Sequence, residues 1–227
     1  MVAWNALIGG YAEHGKGEEA LNCFELMRIE CLSPDVVTFS CSLKACGIVG
    51  SLEMGVDIDA KIRKQGLLER DVVLGTALMD MYFKCGEIEK AREMFEQLPE
   101  RDVVSWSALI AGYAQNGLGD EALKCFRHMQ NVGVRPDART YACVLKSCGI
   151  VRSLEIGEEI NAEIRKEGLL RKDIVLGNAL VGMYSKCGAL EKAQEVFEQL
   201  PERNAGSWNA LIAGYIQNGL CNEAVTC

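Results

Sequence analysis

Residues 99–117 read PERDVVSWSALIAGYAQNG, and residues 201–219 read PERNAGSWNALIAGYIQNG. A near-copy opens the chain, with Trp4 standing where Trp106 and Trp208 stand, each 102 residues from the next. Cys23, Cys125 and Cys227 follow the same step. Self-similarity at a fixed period is the mark of a stacked array, in which each supersecondary unit buries its apolar face against its neighbours.

The step divides further. Trp4, Leu7, Ile8 and Tyr11 have the i, i+3, i+4, i+7 spacing of an amphipathic helix, and Gly15 supplies the turn that ends it. Ala20, Leu21, Phe24 and Met27 then mark a second helix, after which Pro34 and Asp35 close the unit, with Asp35 placed to cap the next helix. The following unit places Phe39, Leu43 and Cys46 on its first helix, Gly47 as a turn, Ser51 as N-cap and Gly66 after its second helix. The third has Leu74, Leu78, Met81 and Tyr82, then Gly86, then a helix from Glu87 to Leu98 that stops at Pro99. The expected units are 1–35, 36–71, 72–102, 103–137, 138–173 and 174–204, with a truncated unit over 205–227. All are helix-turn-helix, so the fold class is all-α.

Composition excludes several functions. The 227 residues are 49% hydrophobic, yet no apolar run reaches the 18 residues that a membrane helix needs. Met1 leads straight into VAWNALIGGY, so any targeting segment is expected outside this chain. Nine of the eleven cysteines fall in period-matched series, namely Cys23/Cys125/Cys227, Cys41/Cys143, Cys46/Cys148 and Cys85/Cys187. They recur because the unit recurs, which makes them small core residues, and with no C-x-x-C neither a disulfide framework nor a zinc site is expected. His14 and His128 have no counterparts in the adjoining copy and are not expected to catalyse or to bind metal.

The length cycle of 35, 36 and 31 residues, with NALIGGYAEHGKGEEALNCFELM in one unit and LMDMYFKCGEIEKAREMFEQLPERD in another, resembles the pentatricopeptide repeat family. The closer resemblance is to its plant subclass of alternating standard, long and short motifs, and it extends over essentially all of the chain. It implies a right-handed superhelical α-solenoid that binds single-stranded RNA in mitochondria or chloroplasts. It also implies a piece of a longer protein, with no cofactor, no membrane and as a further partner a deaminase-bearing or other RNA-processing protein. Members with a cytidine-deaminase-like domain need H-x-E and P-C-x-x-C elements, and neither occurs here. An exposed apolar edge over 205–227 leads to the expectation of fraying or weak self-association there.

A net charge of −8 is unusual for an RNA binder, but its distribution matters more than its sum. Acids crowd the second helices, as at Glu18, Glu19 and Glu25 or at Glu87, Glu89, Glu93 and Glu96, whereas 2–12 and 103–115 have none. RNA is therefore expected on the first-helix wall, with Lys84 and Lys186 as candidate phosphate contacts. Base readers should be polar, lie on first helices and differ between units. The fifth residues fit: Asn5, Ser40, Thr76, Ser107, Ala142, Asn178 and Asn209. The resemblance pairs this slot with the last residue of each unit, here Asp35, Asp71, Asp102, Asp137, Asp173 and Asn204, any of which capping alone would also explain. It further implies that Asn with Asp favours uracil, Thr or Ser with Asp guanine, and Asn with Asn a pyrimidine. The second residue should wedge between bases: Val2, Val37, Val73, Val104 and Val175 suit that role, while Arg139 and Gly206 depart from it. The competing expectation is a protein-binding scaffold of the tetratricopeptide kind, whose units keep one length.

Overall fold

The computed structural model describes residues 1–69, 71–171 and 173–226, so the expectation for Cys227 lies outside the described residues. These residues fall into two compact units, Met1–Gly112 and the part from Tyr113 onward. The first contains α1 (Val2–Glu13), α2 (Gly17–Ile29), α3 (Val36–Val49), α4 (Leu52–Lys64), α5 (Val72–Lys84), α6 (Ile88–Gln97) and most of α7 (Val103–Gln115). The second continues with α8 (Gly119–Asn131), α9 (Ala138–Val151), α10 (Leu154–Lys166), a short 3-10 turn at Leu169–Arg171, α11 (Ile174–Lys186), α12 (Leu190–Gln199), α13 (Ala205–Gln217) and α14 (Cys221–Thr226).

Within the first unit α1, α3 and α5 stack in a row, and α2, α4 and α6 each pack on the first helix of their own hairpin. The second unit repeats the plan with α9, α11 and α13 in the row. Helices in both rows bury apolar residues against each other: Ile8, Phe39, Leu43, Leu74 and Leu78 in one, Val144, Leu145, Leu176 and Leu180 in the other, all of them fully buried. Each such side chain contributes roughly 1.5–3 kcal/mol.

The quoted PER stretch now has a physical account. Leu98 is extended (φ −62°, ψ 133°), as a residue before proline must be, and ends α6. Arg101 then folds back, donating to the carbonyls of Phe95 and Glu96 at 3.3 and 2.9 Å, and its guanidinium lies 5.2 Å from the Phe95 ring. Phe95 in turn meets Trp106 edge-on at 4.6 Å. Arg203, Phe197 and Trp208 repeat the arrangement, with ring centroids again 4.6 Å apart.

One sequence expectation needs correcting. Gly47 is no turn: it lies inside α3, and the left-handed residue that ends the helix is Gly50 at φ 72°. Glycine at 47 lets the Lys84 side chain lie close, since a Cβ there would stand 2.8 Å from its Cδ. Ser51 occupies the N-cap of α4 as expected, although its side chain makes no capping bond. The glycine that ends α3 has an unusual counterpart, since α9 ends at Arg152, held left-handed at φ 53°.

Candidate nucleic-acid interface

The first helices share a distinctive N-terminal end. None of α1, α3, α5, α7, α9, α11 or α13 has an acid in its first turn, although the helix macrodipole favours one there. The second helices follow the electrostatic rule, with Glu18 and Glu19, Glu53, Glu89, Asp120 and Glu121, Glu155 and Glu191 in their first turns. Acid is not absent from the first helices altogether, since α5 carries Asp80 further along, where Lys84 pairs with it at 2.7 Å.

At the same ends stand the valines. Val2, Val37, Val73, Val104 and Val175 are 85, 53, 66, 53 and 63% exposed, on helices whose other large apolar residues are mostly buried. Arg139 is exposed at the matching place in α9. Gly206 has a steric reason: a Cβ there would lie 2.9 Å from the Asn178 amide nitrogen and 3.1 Å from Asn204 Oδ1.

Beside the valines two of the cap residues meet fifth residues. Asp35 accepts from the Thr38 N–H at 2.8 Å in a capping box, and the Asn5 amide reaches across from α1 to donate to both of its carboxylate oxygens at 3.0 and 2.9 Å. Burial alone would raise the Asp35 carboxyl; bonds from the Thr38 N–H, the Asn5 amide, the Thr38 hydroxyl and the Val37 N–H outweigh it and hold the pKa below the ordinary range. Asn178 and Asn204 are brought together more loosely, at 3.5 Å. Asp71, Asp102, Asp137 and Asp173 all cap their helices through side-chain oxygens.

The hydroxyls behave differently. Thr76 and Ser107 donate to their own helix, at Val72 and Val103 carbonyls 2.9 and 2.6 Å away. For Thr76 that leaves hydroxyl lone pairs as acceptors, which matches the N–H donors on the Watson–Crick edge of guanine. Ser107 is nevertheless only 2% exposed, so it is poorly presented compared with half-buried Thr76. Ser40 Oγ is buried without a partner, Ala142 offers no polar group, and Asn209 is exposed.

Lys186 differs from Lys84 because Gly182 stands where Asp80 would pair with it. It lines a crevice of about 410 Å³ with Arg152, Ser185, Gln217 and Asn218, and no acid is among the lining residues. Sequence reasoning overlooks Arg152; comparison with Gly50, 102 residues earlier, is the signal that finds it. Among the described residues no group of three or more His, Cys, Asp or Glu could hold a metal ion, and no helix is long and apolar enough to cross a membrane. Cys46 and Cys148 are fully buried, and burial pushes each thiol up to about 12.

Comparison with known proteins places this geometry. The PPR repeat family model matches residues 1–47 and 101–149, and the PPR repeat model matches 76–103, 178–204 and 206–227. A chloroplastic pentatricopeptide repeat-containing protein of Arabidopsis thaliana is 41% identical over 224 residues, 99% of this chain and 36% of that protein. A mitochondrial one from the same plant is 40% identical over 230 residues, with the same coverage of each. The chain thus spans about a third of the length of these curated relatives. Among solved structures, maize PPR10 superposes with a TM-score of 0.63 at 23% identity, over 92% of this chain and 31% of that one. PPR10 in complex with an 18-nt psaJ RNA element superposes at 0.56 and 19% identity, over 97% and 38%. The likeness carries the α-solenoid fold, and the chain belongs to the pentatricopeptide repeat family.

Proposed function

We propose that this chain reads single-stranded RNA, one base for each helix pair, as the recognition part of an RNA-processing factor of plant organelles. The observation that carries the reading is the N-terminal end of the first helices: acid-free, lined by exposed valines in five of them, and at Asn5 and Asn178 holding a polar fifth residue against the cap of the next helix. A β-branched side chain left in solvent at the same place in five helices is explained by a partner with apolar faces, and unstacked bases have them. Membership of the family, the organellar relatives and the RNA-bound structural neighbour support the same reading. With repeats at 1–35, 36–71, 72–102, 103–137, 138–173, 174–204 and 205–227, in the standard, long and short alternation, the pairs read uracil at Asn5/Asp35 and guanine at Thr76/Asp102 and Ser107/Asp137. Asn178/Asn204 reads a pyrimidine. Lys186 and Arg152 contact phosphates. Editing or another process acts through a deaminase-bearing or other processing protein, this chain supplying the address.

Replacing Thr76 by Asn tests the code at one repeat. The new amide stands opposite Asp102 as Asn5 stands opposite Asp35, so the preferred base should change from G to U. A wrong base costs about 1–3 kcal/mol at a well-read position, a several-fold or larger reversal between two oligonucleotides differing at that base. A folded variant that loses affinity equally for G and U would show that Thr76 reads no base, and a wild-type chain that binds no single-stranded RNA would leave the protein-scaffold reading in its place.

A further inference from the structure

Asn5 is held from both sides. Its amide nitrogen faces the Asp35 carboxylate, and its amide oxygen lies 2.5 Å from the Thr38 hydroxyl. Thr38 belongs to the next helix, 33 residues away, and is fully buried, so it cannot touch a base itself. Its hydroxyl has one proton and two acceptors in reach, Asn5 Oδ1 at 2.5 Å and Asp35 Oδ1 at 2.9 Å. The carboxylate already receives the Thr38 N–H and the Asn5 amide, whereas the Asn5 oxygen takes no other donor among the described residues. The proton is best placed on the side of Asn5.

We propose that Thr38 is a positioning residue for base recognition: its hydroxyl, with Asp35, locks the plane and the orientation of the Asn5 amide, and so sets which base that amide accepts. This rests on the reading that Asn5 faces RNA. A reversed amide would set its oxygen against a carboxylate and leave its NH2 donating to a hydroxyl that must then turn away. With both ends pinned, one N–H and one lone pair remain for the base in fixed places, and a pyrimidine with the wrong edge meets donor against donor or acceptor against acceptor.

The other helix pairs make this a property of particular positions. Ser207 occupies the equivalent place beside Asn178 and completes a capping box with Asn204, but its hydroxyl bonds to Asn204 alone and Asn178 Oδ1 is buried without a partner. Leu74 and Leu176 stand there opposite Ser40 and Ala142 and offer no hydrogen bond at all. Capping and positioning are therefore separable: the box forms at Ser207 without the link to the reader.

The test uses the full chain and oligonucleotides that differ only at the base assigned to Asn5. Thr38→Val keeps shape and removes the hydroxyl, and should reduce the ratio of affinities for U over C by about two- to twelve-fold, the equivalent of one hydrogen bond of roughly 0.5–1.5 kcal/mol. Thr38→Ser should restore most of the ratio. Ser207→Ala, which breaks a capping box but no link to Asn178, should leave discrimination at the sixth repeat unchanged. Asn5→Ala reports on the underlying reading by abolishing the ratio. Thr38→Val with an unchanged ratio, while Asn5→Ala abolishes it, overturns the positioning role alone; an unchanged ratio in Asn5→Ala overturns the role of Asn5, and that of Thr38 with it.

Discussion

Replacing Arg152 by glycine should make the protein slightly more stable and its RNA binding weaker. Arg152 sits left-handed at φ 53°, where the equivalent residue of the preceding triplet is Gly50 at φ 72°. Forcing a side-chain-bearing residue into that region costs roughly 1–2 kcal/mol, which glycine removes. Glycine's freer unfolded chain offsets part of that gain, by roughly 0.5–1 kcal/mol. The missing attraction between the guanidinium and the C-terminal end of α9 offsets about a few tenths more. A net gain of about 0.5 kcal/mol remains. Cys31→Gly is the matched control: Cys31 is left-handed at φ 57°, its counterpart is Gly133 at φ 80°, and it lines no cationic crevice, so it should gain about 1 kcal/mol with RNA affinity unchanged. Arg152→Gly should instead weaken binding about two- to five-fold near 0.1 M salt, the scale of an exposed ion pair, and the difference should fade at high salt. Urea midpoints give the first quantity and fluorescence anisotropy with labelled RNA the second. An Arg152→Gly variant that binds RNA as tightly as the parent would mean that the strain at this residue serves nothing in RNA binding, and one that is less stable would mean that the helix end depends on the cation more than on backbone geometry.

Two further outcomes follow from differences between the triplets. Lys186→Ala should lower RNA affinity and flatten the dependence of log affinity on log salt by about 0.7, the share of one phosphate neutralised on a single strand, whereas Lys84→Ala, whose ammonium is already paired with Asp80 at 2.7 Å, should change the slope less; equal slopes for the two would contradict the assignment. In alkylation of the native protein followed by mass spectrometry, exposed Cys31 and Cys221 should be labelled first, while Cys46 and Cys148, buried and with thiols pushed up to about 12, should resist until the chain unfolds.

How much of this is legible in the residues depends on the range of the interaction that decides it. Helix ends are legible because their causes are local: Asp35, Asp71 and Asp102 bond to N–H groups two or three residues on, and Pro99 acts on Leu98. Gly47 misleads because glycine serves two purposes that look alike in sequence. It permits a left-handed turn, and it also lets a neighbour come close; at 47 the neighbour is the Lys84 stem, 37 residues away. The burial of Ser107 is equally out of reach, since a polar residue at a first-helix position reads as exposed whatever its neighbours do, and this one is 2% exposed.

Where the interaction joins distant residues, periodicity itself becomes the instrument. A residue that serves only packing should recur at each period, because every hairpin must solve the same packing problem, and Phe95 with Trp106 recurs as Phe197 with Trp208 at the same 4.6 Å. A residue that breaks the period is without that justification. Gly50 gives way to Arg152, Phe83 to Ser185 and Asp80 to Gly182, and each change adds charge or opens room around Lys186 instead of restoring the first pattern. In unit 1 the Phe83 ring packs onto Gly112, where an added Cβ would lie 2.2 Å from it; in unit 2 the smaller Ser185 meets Gly214 and leaves its hydroxyl buried without a partner. Two of the departures, Arg152 and Ser185, line one crevice with Lys186 and are hard to derive from stability, because left-handed arginine and an unpaired buried hydroxyl both oppose it. Phosphate contact at the crevice, as proposed above, would account for both, whereas in the first triplet Phe83 stands in place of Ser185 and Lys84 is paired with Asp80.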